Sequence, residues 1–445
     1  MTNKKSPVVS RELLLPFIAA TSIFALWGFA NDLTNPMVAA FKKVMVLSNE
    51  EAYNVQFAFY FGYGVMAIPA ALFIRRYSYK SGLLLGLALY AVGALLFYPA
   101  AQNGSYSYFL LSLFVITCGL GFLETTSNPL ILSMGKAETA TRRLNLAQSF
   151  NPVGSLTGML IAKFVVLDRI LSADYADSSE IVALGAARAA EIKAYDLNVI
   201  SGPYIAVGVF VAVVFFVIWR TNIPSMKMGD QLSVGESVRK IFQSKTYLFG
   251  VLAQMFYVGA QIMCWTAIFQ LVEYLNASSG LDIEATWWNI AAMLSFVTTR
   301  FIGTALMKNF SPAQMLAAFG FAGTACCLGV VLASGMTSLI FLVLTSVFMS
   351  IMFPTIYGIA LHGMGEEAKL ASSGLIMAIV GGALLPKMQA AIMDYGEPVN
   401  GAEVFGDVVA AGIPEIHFSF LLPAACLFIV ACYGLYAYRV RSQSS

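Results

Sequence analysis

The sequence predicts an all-α integral membrane protein with twelve spans arranged as two pseudo-symmetric six-helix halves. The 445 residues are 59% hydrophobic and 11% charged, with a mean hydropathy of +0.76, whereas soluble domains average about 25% charged residues. Apolar stretches of the roughly 20 residues that a bilayer requires recur along the chain. The halves also resemble each other weakly, because Pro129 and Pro354 are similarly placed and each precedes an apolar stretch and a Met-Gly pair.

The spans fall on both sides of a polar, basic segment at 221–245, which we interpret as a cytoplasmic linker between halves at 1–220 and 246–445. Of the 26 lysine and arginine residues, 18 lie on the side of the termini, 5 on the other side and 3 within spans. Positive residues favour the cytoplasmic side, so both termini are expected there. The predicted spans are 14–40, 52–74, 81–101, 106–133, 144–167, 200–219, 246–275, 285–307, 313–333, 336–361, 370–394 and 415–438.

Several functional classes are disfavoured by composition. The net charge of +2 and the absence of a basic run argue against a nucleic-acid partner. The six cysteines lie in apolar segments without metal-binding spacing, and no phosphate-binding Gly-Lys-Ser/Thr loop is present, so no metal or organic cofactor is expected and ATP-driven pumping is disfavoured. The two histidines, His362 and His417, are far apart in sequence, which argues against an enzyme.

Two carboxylates fall within predicted spans. Glu124 lies in the fourth span, where a central carboxylate costs about 2.5–3.5 kcal/mol, so we interpret it as a functional group. Its alternative role is a structural carboxylate paired inside the helix bundle. Asp32 lies in the first span and is either a second functional carboxylate or a residue at the outer helix end.

Side-chain amides accompany these carboxylates. Asn31 and Asn35 share one face of the first span, and Gln148 and Asn151 share a face of the fifth. Amides both donate and accept hydrogen bonds, which suits sugar hydroxyls. The alternative is bonding between helices, typically about 0.6 kcal/mol in a membrane, and for Asn145 the two roles are equally supported.

The seventh span carries Tyr257, Gln261 and Trp265 at four-residue spacing. Such a stripe offers one amide and two aromatic faces for stacking on a sugar ring, although aromatic residues at this spacing also form packed cores. Two cations, Arg300 and Lys387, lie inside the eighth and eleventh spans. Each is either a counter-ion to a carboxylate or a side chain that reaches an interface.

Several stretches spread along the sequence resemble those of the fucose permease family, the fucose–galactose–glucose symporters of the major facilitator superfamily. They are Tyr60-Phe61-Gly62-Tyr63, Leu123-Glu124-Thr125 with Asn128-Pro129, Arg143-Leu144-Asn145-Leu146-Ala147-Gln148 with Phe150-Asn151, Tyr257-Val258-Gly259-Ala260-Gln261 with Cys264-Trp265, and Phe348-Met349-Ser350-Ile351 with Pro354-Thr355-Ile356. The resemblance implies a twelve-span major facilitator fold that imports a monosaccharide by proton symport in a bacterial inner membrane. It places the family's coupling glutamate at Glu124 and its fifth-span amides at Gln148 and Asn151.

The sequence departs from this family at two places. The family's first-span aspartate falls on Asn35, and Asp32 occupies the position of an asparagine. Met352 and Phe353 stand where the family's fucose transporter has glutamine and tyrosine, which makes the expected binding site more apolar. The expected sugar is therefore either L-fucose or a related hexose such as galactose or glucose. Sodium coupling through Asp32 and Glu124 is therefore an alternative to proton coupling, since carboxylates suit hard cations.

We therefore expect a sugar symporter whose partners are the sugar and the bilayer, with no nucleic acid, and which acts as a monomer. Proton or cation coupling is assigned to Glu124 and Asp32. An exporter of drugs or sugars is the alternative on the same fold, disfavoured by the amides, and a sugar sensor is disfavoured by the lack of a signalling domain. The expected substrate-binding residues are Asn31, Asn35, Gln148, Asn151, Tyr257, Gln261 and Trp265.

Overall fold

A computed structural model of the protein describes residues 8–45, 47, 49–175, 178–221, 223, 233–393, 408–410 and 412–442. Almost all of these residues are helical, because a chain within hydrocarbon must satisfy its backbone polar groups inside each segment. The helices of the first half are α1 (Leu14–Val44), α2 (Asn49–Arg76), α3 (Tyr79–Leu95), α4 (Phe97–Asn103), α5 (Tyr106–Ser133), α6 (Ala140–Gln148), α7 (Asn151–Ile161), α8 (Ser178–Ala183) and α9 (Ala186–Arg220).

The second half repeats the helical pattern and adds a two-stranded antiparallel hairpin, β1 (Val408–Ala410) with β2 (Ile413–Pro414). A short amphipathic helix, α10 (Val234–Gln243), lies in the predicted linker and begins at a capping box between Ser233 and Glu236. The further helices are α11 (Lys245–Ser279), α12 (Ala285–Leu306), α13 (Pro312–Leu332), α14 (Met336–Met349), α15 (Met352–Ala360), α16 (Ala368–Met377), α17 (Gly381–Met393), α18 (Glu415–Phe418) and α19 (Leu421–Ser442).

The predicted all-α fold with membrane-spanning helices is confirmed, whereas the orientation of the termini remains a prediction. Eleven helical stretches among the described residues are long and apolar enough to cross a bilayer, and α2, 28 residues long, occupies the predicted second span. Short 3₁₀ turns at Arg11–Leu13, Ala137–Thr139, Leu171–Asp174, Gly365–Glu367 and Ala378–Val380, and a π-helical turn at Ala162–Leu167, adjoin these helices. The division of the chain at 220 and 245 remains a prediction.

Close helix packing within each half depends on small residues, as is usual in membranes. Helix α1 packs on α7 where Gly28 and Gly154 meet the opposing backbone. A Cβ atom at Gly154 would lie 1.9 Å from the Ala25 carbonyl oxygen, and one at Gly28 would lie 2.1 Å from that of Asn151. These contacts hold the polar segment of α1 beside the start of α7.

Prolines interrupt the spans near the middle of the bundle. The fifth span breaks between α6 and α7, and the tenth breaks between α14 and α15. Because proline has no N–H, the carbonyl four residues earlier loses its helical partner. Pro129, Pro152 and Pro354 therefore free the carbonyls of Thr125, Gln148 and Ser350.

Candidate functional site: a polar cavity between the halves

A cavity of about 940 Å³, including space open to solvent, lies between the halves. Eight of the nine predicted coupling and substrate-binding residues line it, although their functional roles remain predictions. The side chain of the ninth, Asn35, lies outside the described part of the structure. The eight are Asn31, Asp32, Glu124, Gln148, Asn151, Tyr257, Gln261 and Trp265.

Four other lining residues were not predicted from the sequence. Phe24 and Trp27 precede Asn31 at helical spacing, and Met293 and Phe296 precede Arg300 in the same way. Residues three, four or seven positions before a polar residue share its helical face, and this spacing would have identified these four. Further lining residues are Tyr63, Pro152, Ser155, Val258, Ile262, Phe353, Ile379 and Gly382.

Glu124 is placed in the cavity wall by α5. Its side chain is buried, and its Oε2 atom has no hydrogen-bond partner among the described residues. A buried carboxylate without partners is costly as an anion. Asp32 is half-buried in the wall formed by α1. The cavity therefore brings together the two carboxylates that the sequence separates by 92 positions.

The four amides differ in how far their hydrogen-bonding groups are used. Gln148 Nε2 donates to Asn128 Oδ1 at 2.7 Å, and Asn151 Nδ2 donates to the Phe24 carbonyl at 3.2 Å. Asn31 and Gln261 make no hydrogen bond to another described residue, although each lines the cavity. These two amides, on α1 and α11 of opposite halves, are available to a ligand between them.

The aromatic stripe of α11 also divides into two roles. Tyr257 is fully buried and donates from its hydroxyl to the Met349 carbonyl at 3.1 Å. Trp265 is half-buried, and its Nε1 atom donates to Ser346 Oγ at 3.1 Å. Its ring packs edge-on against Phe296 with 5.1 Å between centroids. Trp265 is thus fixed in orientation while part of its ring remains accessible, whereas Tyr257 lies behind the surface.

The two cations within the spans have different positions. Arg300 lines the cavity, where its Nη1 atom donates to the Gln148 carbonyl at 3.0 Å and its Nε atom donates to the Ser350 carbonyl. Its Cζ atom lies 4.5 Å from the Phe296 ring centroid. In the described part of the chain it forms no ion pair. Lys387 is exposed and does not line the cavity, as expected for a lysine that reaches an interface.

The halves are hydrogen-bonded to each other at one end of the bundle, which we call the terminal end. Described residues near both termini lie there, since Arg143 Nη1 donates to the Val8 carbonyl and Tyr433 of α19 donates to the Thr246 carbonyl. Among the described residues, four hydrogen bonds between side chains of one half and atoms of the other lie towards this end. They join Arg142 to the Thr304 carbonyl (3.3 Å), Asn145 to Thr355 (3.1 Å), Arg300 to the Gln148 carbonyl (3.0 Å) and Ser372 to the Thr125 carbonyl (3.3 Å).

Two helical halves with a cavity between them and broken helices in its wall are typical of secondary transporters of the major facilitator type. A sequence model of the Major Facilitator Superfamily matches residues 17–386. The chain is 49% identical to the L-fucose-proton symporter of Haemophilus influenzae, over 97% of this chain and 99% of that one. It is 29% identical to the glucose/galactose transporter of Brucella abortus, over 93% and 92% of the two chains.

A solved structure supports the same assignment. The crystal structure of the transporter FucP in the outward conformation matches 96% of this chain and 99% of its own, with a TM-score of 0.83 and 31% identity. The chain therefore belongs to the Major Facilitator Superfamily, within the family that includes the L-fucose-proton symporters. It is a multi-pass membrane transporter.

Proposed function

We propose that the protein imports a monosaccharide, L-fucose or a related hexose such as galactose or glucose, by proton symport. The observation that carries this proposal is the cavity between the halves. Within the described part of the chain, amides without a hydrogen bond and an accessible indole lie there beside the buried Glu124 carboxylate, whose Oε2 atom has no partner. The names of the relatives, L-fucose-proton symporter and glucose/galactose transporter, support the same substrate class. No cofactor or catalytic step is needed.

The sugar binds between α1 and α11. The amides of Asn31 and Gln261 hydrogen-bond its hydroxyls from opposite halves, and the free oxygens of Gln148 and Asn151 accept from the same ring. Trp265 covers an apolar ring face. Asn35 is retained as a substrate-binding residue on the family resemblance, and Tyr257 supports the site from behind the surface.

Glu124 couples transport to protons. The carboxyl accepts a proton while the cavity faces the outside, which removes the cost of an unpaired buried charge and permits the halves to move. The bundle then opens at the terminal end, and the sugar and the proton leave there. Rocking of the halves about a fixed site exchanges access without opening both ends at once.

The orientation and organisation follow from the same proposal. The terminal end faces the cytoplasm of a bacterial cell, the protein lies in the inner membrane, and both termini are cytoplasmic, as the distribution of basic residues favours. The moving units are the halves 1–220 and 246–445, joined by the 221–245 linker with α10. One chain contains a whole cavity, so a monomer suffices.

Sodium coupling is the second candidate, because Asp32 and Glu124 line one cavity with side-chain amides. Carboxylate and amide oxygens are ligands that hard cations prefer. In that case both carboxylates hold the ion. With proton coupling, Glu124 alone carries the charge change.

The test is uptake of labelled L-fucose, D-galactose and D-glucose into vesicles that contain the purified protein. Each sugar is run with an inward proton gradient alone and then with a sodium gradient alone. We expect accumulation with the proton gradient, loss of accumulation in Glu124→Gln, and accumulation in Asp32→Asn. Accumulation driven by sodium alone, with loss in both variants, would support the second candidate.

Exchange of internal and external sugar serves as the control for folding. Exchange does not require net proton movement, so Glu124→Gln is expected to retain it. Full accumulation by Glu124→Gln would remove this residue from the coupling mechanism. Absence of accumulation in the wild type under either gradient would contradict symport and favour a facilitator or an exporter.

A further inference from the structure

A glutamine of α11 is buried without a hydrogen bond to any described residue. Gln254 is fully buried, and neither its Nε2 atom nor its Oε1 atom has a partner in the described part of the chain. No other described side chain has two polar atoms that are both buried and unpaired. Burial of an amide without hydrogen bonds destabilises the conformation that contains it. A conformation in which the amide gains partners would remove that cost.

Gln254 lies on the face of α11 that also forms the cavity wall. Val258 and Gln261, four and seven residues later, line the cavity. Tyr247 and Val251, seven and three residues earlier, pack into a hydrophobic core that is shared with the first half. Residues at these spacings share one face of a helix, so Gln254 faces the first half between the cavity and this core. At 1.5 Å per residue, Gln254 lies about 10 Å nearer the terminal end than Gln261.

Contacts between α11 and α15 fix the depth of Gln254 in the bundle. Three residues after Gln254, the ring centroid of Tyr257 lies 6.3 Å from that of Phe353. Four residues before Gln254, a Cβ atom at Gly250 would lie 2.6 Å from the Cβ atom of Ala360. Gln254 therefore lies beside the middle of α15, between these two contacts.

The same part of α15 is bonded to the first half. Thr355 Oγ1 accepts from Asn145 Nδ2 at 3.1 Å, and this is one of the bonds that join the halves at the terminal end. Asn145 Oδ1 is itself buried and has no partner among the described residues. Separation of the halves at this end breaks the bond, frees the Asn145 amide and gives a ligand access to the depth of Gln254.

We propose that Gln254 belongs to a second sugar position, which forms only when the terminal end is open. Its amide donates to one sugar hydroxyl and accepts from another, as the Gln261 amide does in the cavity. The sugar moves from Gln261 to Gln254 along one face of α11 as it leaves. Because the Gln254 amide gains partners only in the open state, it favours release over return to the cavity. This inference rests on the proposed function, since it requires a sugar as the transported ligand.

The test is sugar exchange by Gln254→Met, measured from each face of the membrane. Methionine has nearly the shape of glutamine and removes only the amide. Right-side-out vesicles offer external sugar to the cavity, and inverted vesicles offer it to the terminal end. The other side holds saturating sugar. At the terminal end we expect the half-saturating sugar concentration to rise about tenfold, which corresponds to about 1.4 kcal/mol. At the cavity it should stay near the wild-type value.

Gln389→Met is the matched control. Gln389 of α17 is also buried, but its Nε2 atom donates to Ser419 Oγ at 3.4 Å, and it does not line the cavity. Gln389→Met loses that bond, so it should unfold at a lower temperature and change exchange equally from both faces. Gln254→Met loses no bond in the closed state and should unfold at or above the wild-type temperature. A lower unfolding temperature would mean that the Gln254 amide is bonded there and would overturn the inference.

The sidedness of the effect separates this inference from the proposed function. In Gln254→Met, a wild-type half-saturating concentration at the terminal end would overturn the second sugar position and leave the proposed function intact. An equal rise at both faces would do the same. Failure of the wild-type protein to accumulate sugar under either gradient would instead contradict the proposed function.

Cysteine labelling decides the case in which Gln254→Met loses exchange altogether. Gln254→Cys and Leu361→Cys are each treated with a maleimide, in a background where the exposed Cys432 is replaced by serine. Leu361, which follows α15, is buried against the first half and reports opening of the terminal end alone. We expect saturating sugar to slow the labelling of Gln254→Cys more than that of Leu361→Cys, because a bound sugar covers only the former. Equal slowing at both positions, or none at Gln254→Cys, overturns the inference whatever the transport result.

Discussion

At the scale of single residues, Arg300 shows how a buried cation is held without a carboxylate. Its guanidinium donates to the carbonyls of Gln148 and Ser350, which Pro152 and Pro354 deprive of their helical donors. Phe296 supplies an aromatic face to the same group. Because the planar fork reaches one carbonyl in each half, it connects the breaks in the fifth and tenth spans.

We therefore predict that Arg300→Lys impairs the protein although it keeps the charge. An ammonium group cannot reach both carbonyls in the same fork geometry, and hydrogen bonds that involve a charged group contribute about 1.5–3 kcal/mol each. The expected result is a lower thermal unfolding temperature and weaker sugar binding. Both are measured in detergent, with and without sugar.

Lys387→Arg is the control for that prediction. Lys387 is exposed on α17 and does not line the cavity. This exchange of lysine for arginine should therefore leave the unfolding temperature and the sugar affinity near the wild-type values. An Arg300→Lys protein as stable and as tightly binding as wild type would show that one of the two carbonyl bonds is dispensable.

Eight of the residues that line the cavity were predicted from the sequence as coupling or substrate-binding residues, but their bonding could not be predicted. Polar residues are rare in apolar spans, so Glu124, Gln148 and Gln261 are conspicuous in the sequence itself. Whether an amide is free, as in Gln261, or bonded, as in Gln148 to Asn128, depends on which helix lies opposite. That information is tertiary and has no signature in local spacing.

At the scale of helices, the prolines of the spans create acceptors for bonds between the halves. Pro129 leaves the Thr125 carbonyl of α5 without a helical donor, and the hydroxyl of Ser372 of α16 lies 3.3 Å from it across the interface. The same hydroxyl also donates to the Lys369 carbonyl at 2.7 Å, so its proton is shared between the two acceptors. The spans and their prolines are readable from the sequence. The breaks between α6 and α7 and between α14 and α15 were not predicted, because a membrane helix often accommodates proline without breaking.

We predict that Pro129→Ala favours opening of the terminal end. The substitution provides an N–H that donates to the Thr125 carbonyl within α5 and competes with Ser372. Loss of one such bond, at about 1 kcal/mol, shifts the equilibrium between the two states about fivefold. The readout is maleimide labelling of Leu361→Cys, a position buried against the first half, in a background where the exposed Cys432 is replaced by serine.

Pro203→Ala provides the comparison. Pro203 also lies inside a helix, α9, but α9 packs on α3 and α4 of its own half. Labelling of Leu361→Cys is expected to rise about fivefold with Pro129→Ala and to stay unchanged with Pro203→Ala. Equal labelling in both would show that the Thr125 carbonyl does not contribute to closure.

At the scale of the whole molecule, the described bonds between the halves lie towards one end, and one of them, between Arg300 and Gln148, is in the cavity wall. The structural match to a transporter in the outward conformation agrees with this arrangement. The two halves and a site between them could be predicted from the sequence, but which end is closed could not. Closure at either end of the bundle would use the same spans. Which end is closed therefore depends on a small difference in free energy between two packings of one sequence.

A disulfide at the terminal end should therefore stop transport without removing the site. Asn145 Nδ2 lies 3.1 Å from Thr355 Oγ1 across the interface, which places these side chains within reach of a cross-link. After mild oxidation, the Asn145→Cys and Thr355→Cys double variant is expected to bind sugar, because neither position lines the cavity. Uptake and exchange should both be lost and should return on reduction, whereas each single variant should be insensitive to oxidation. Continued uptake by the cross-linked protein would mean that the halves need not separate between α6 and α15, and the rocking motion would then require a different hinge.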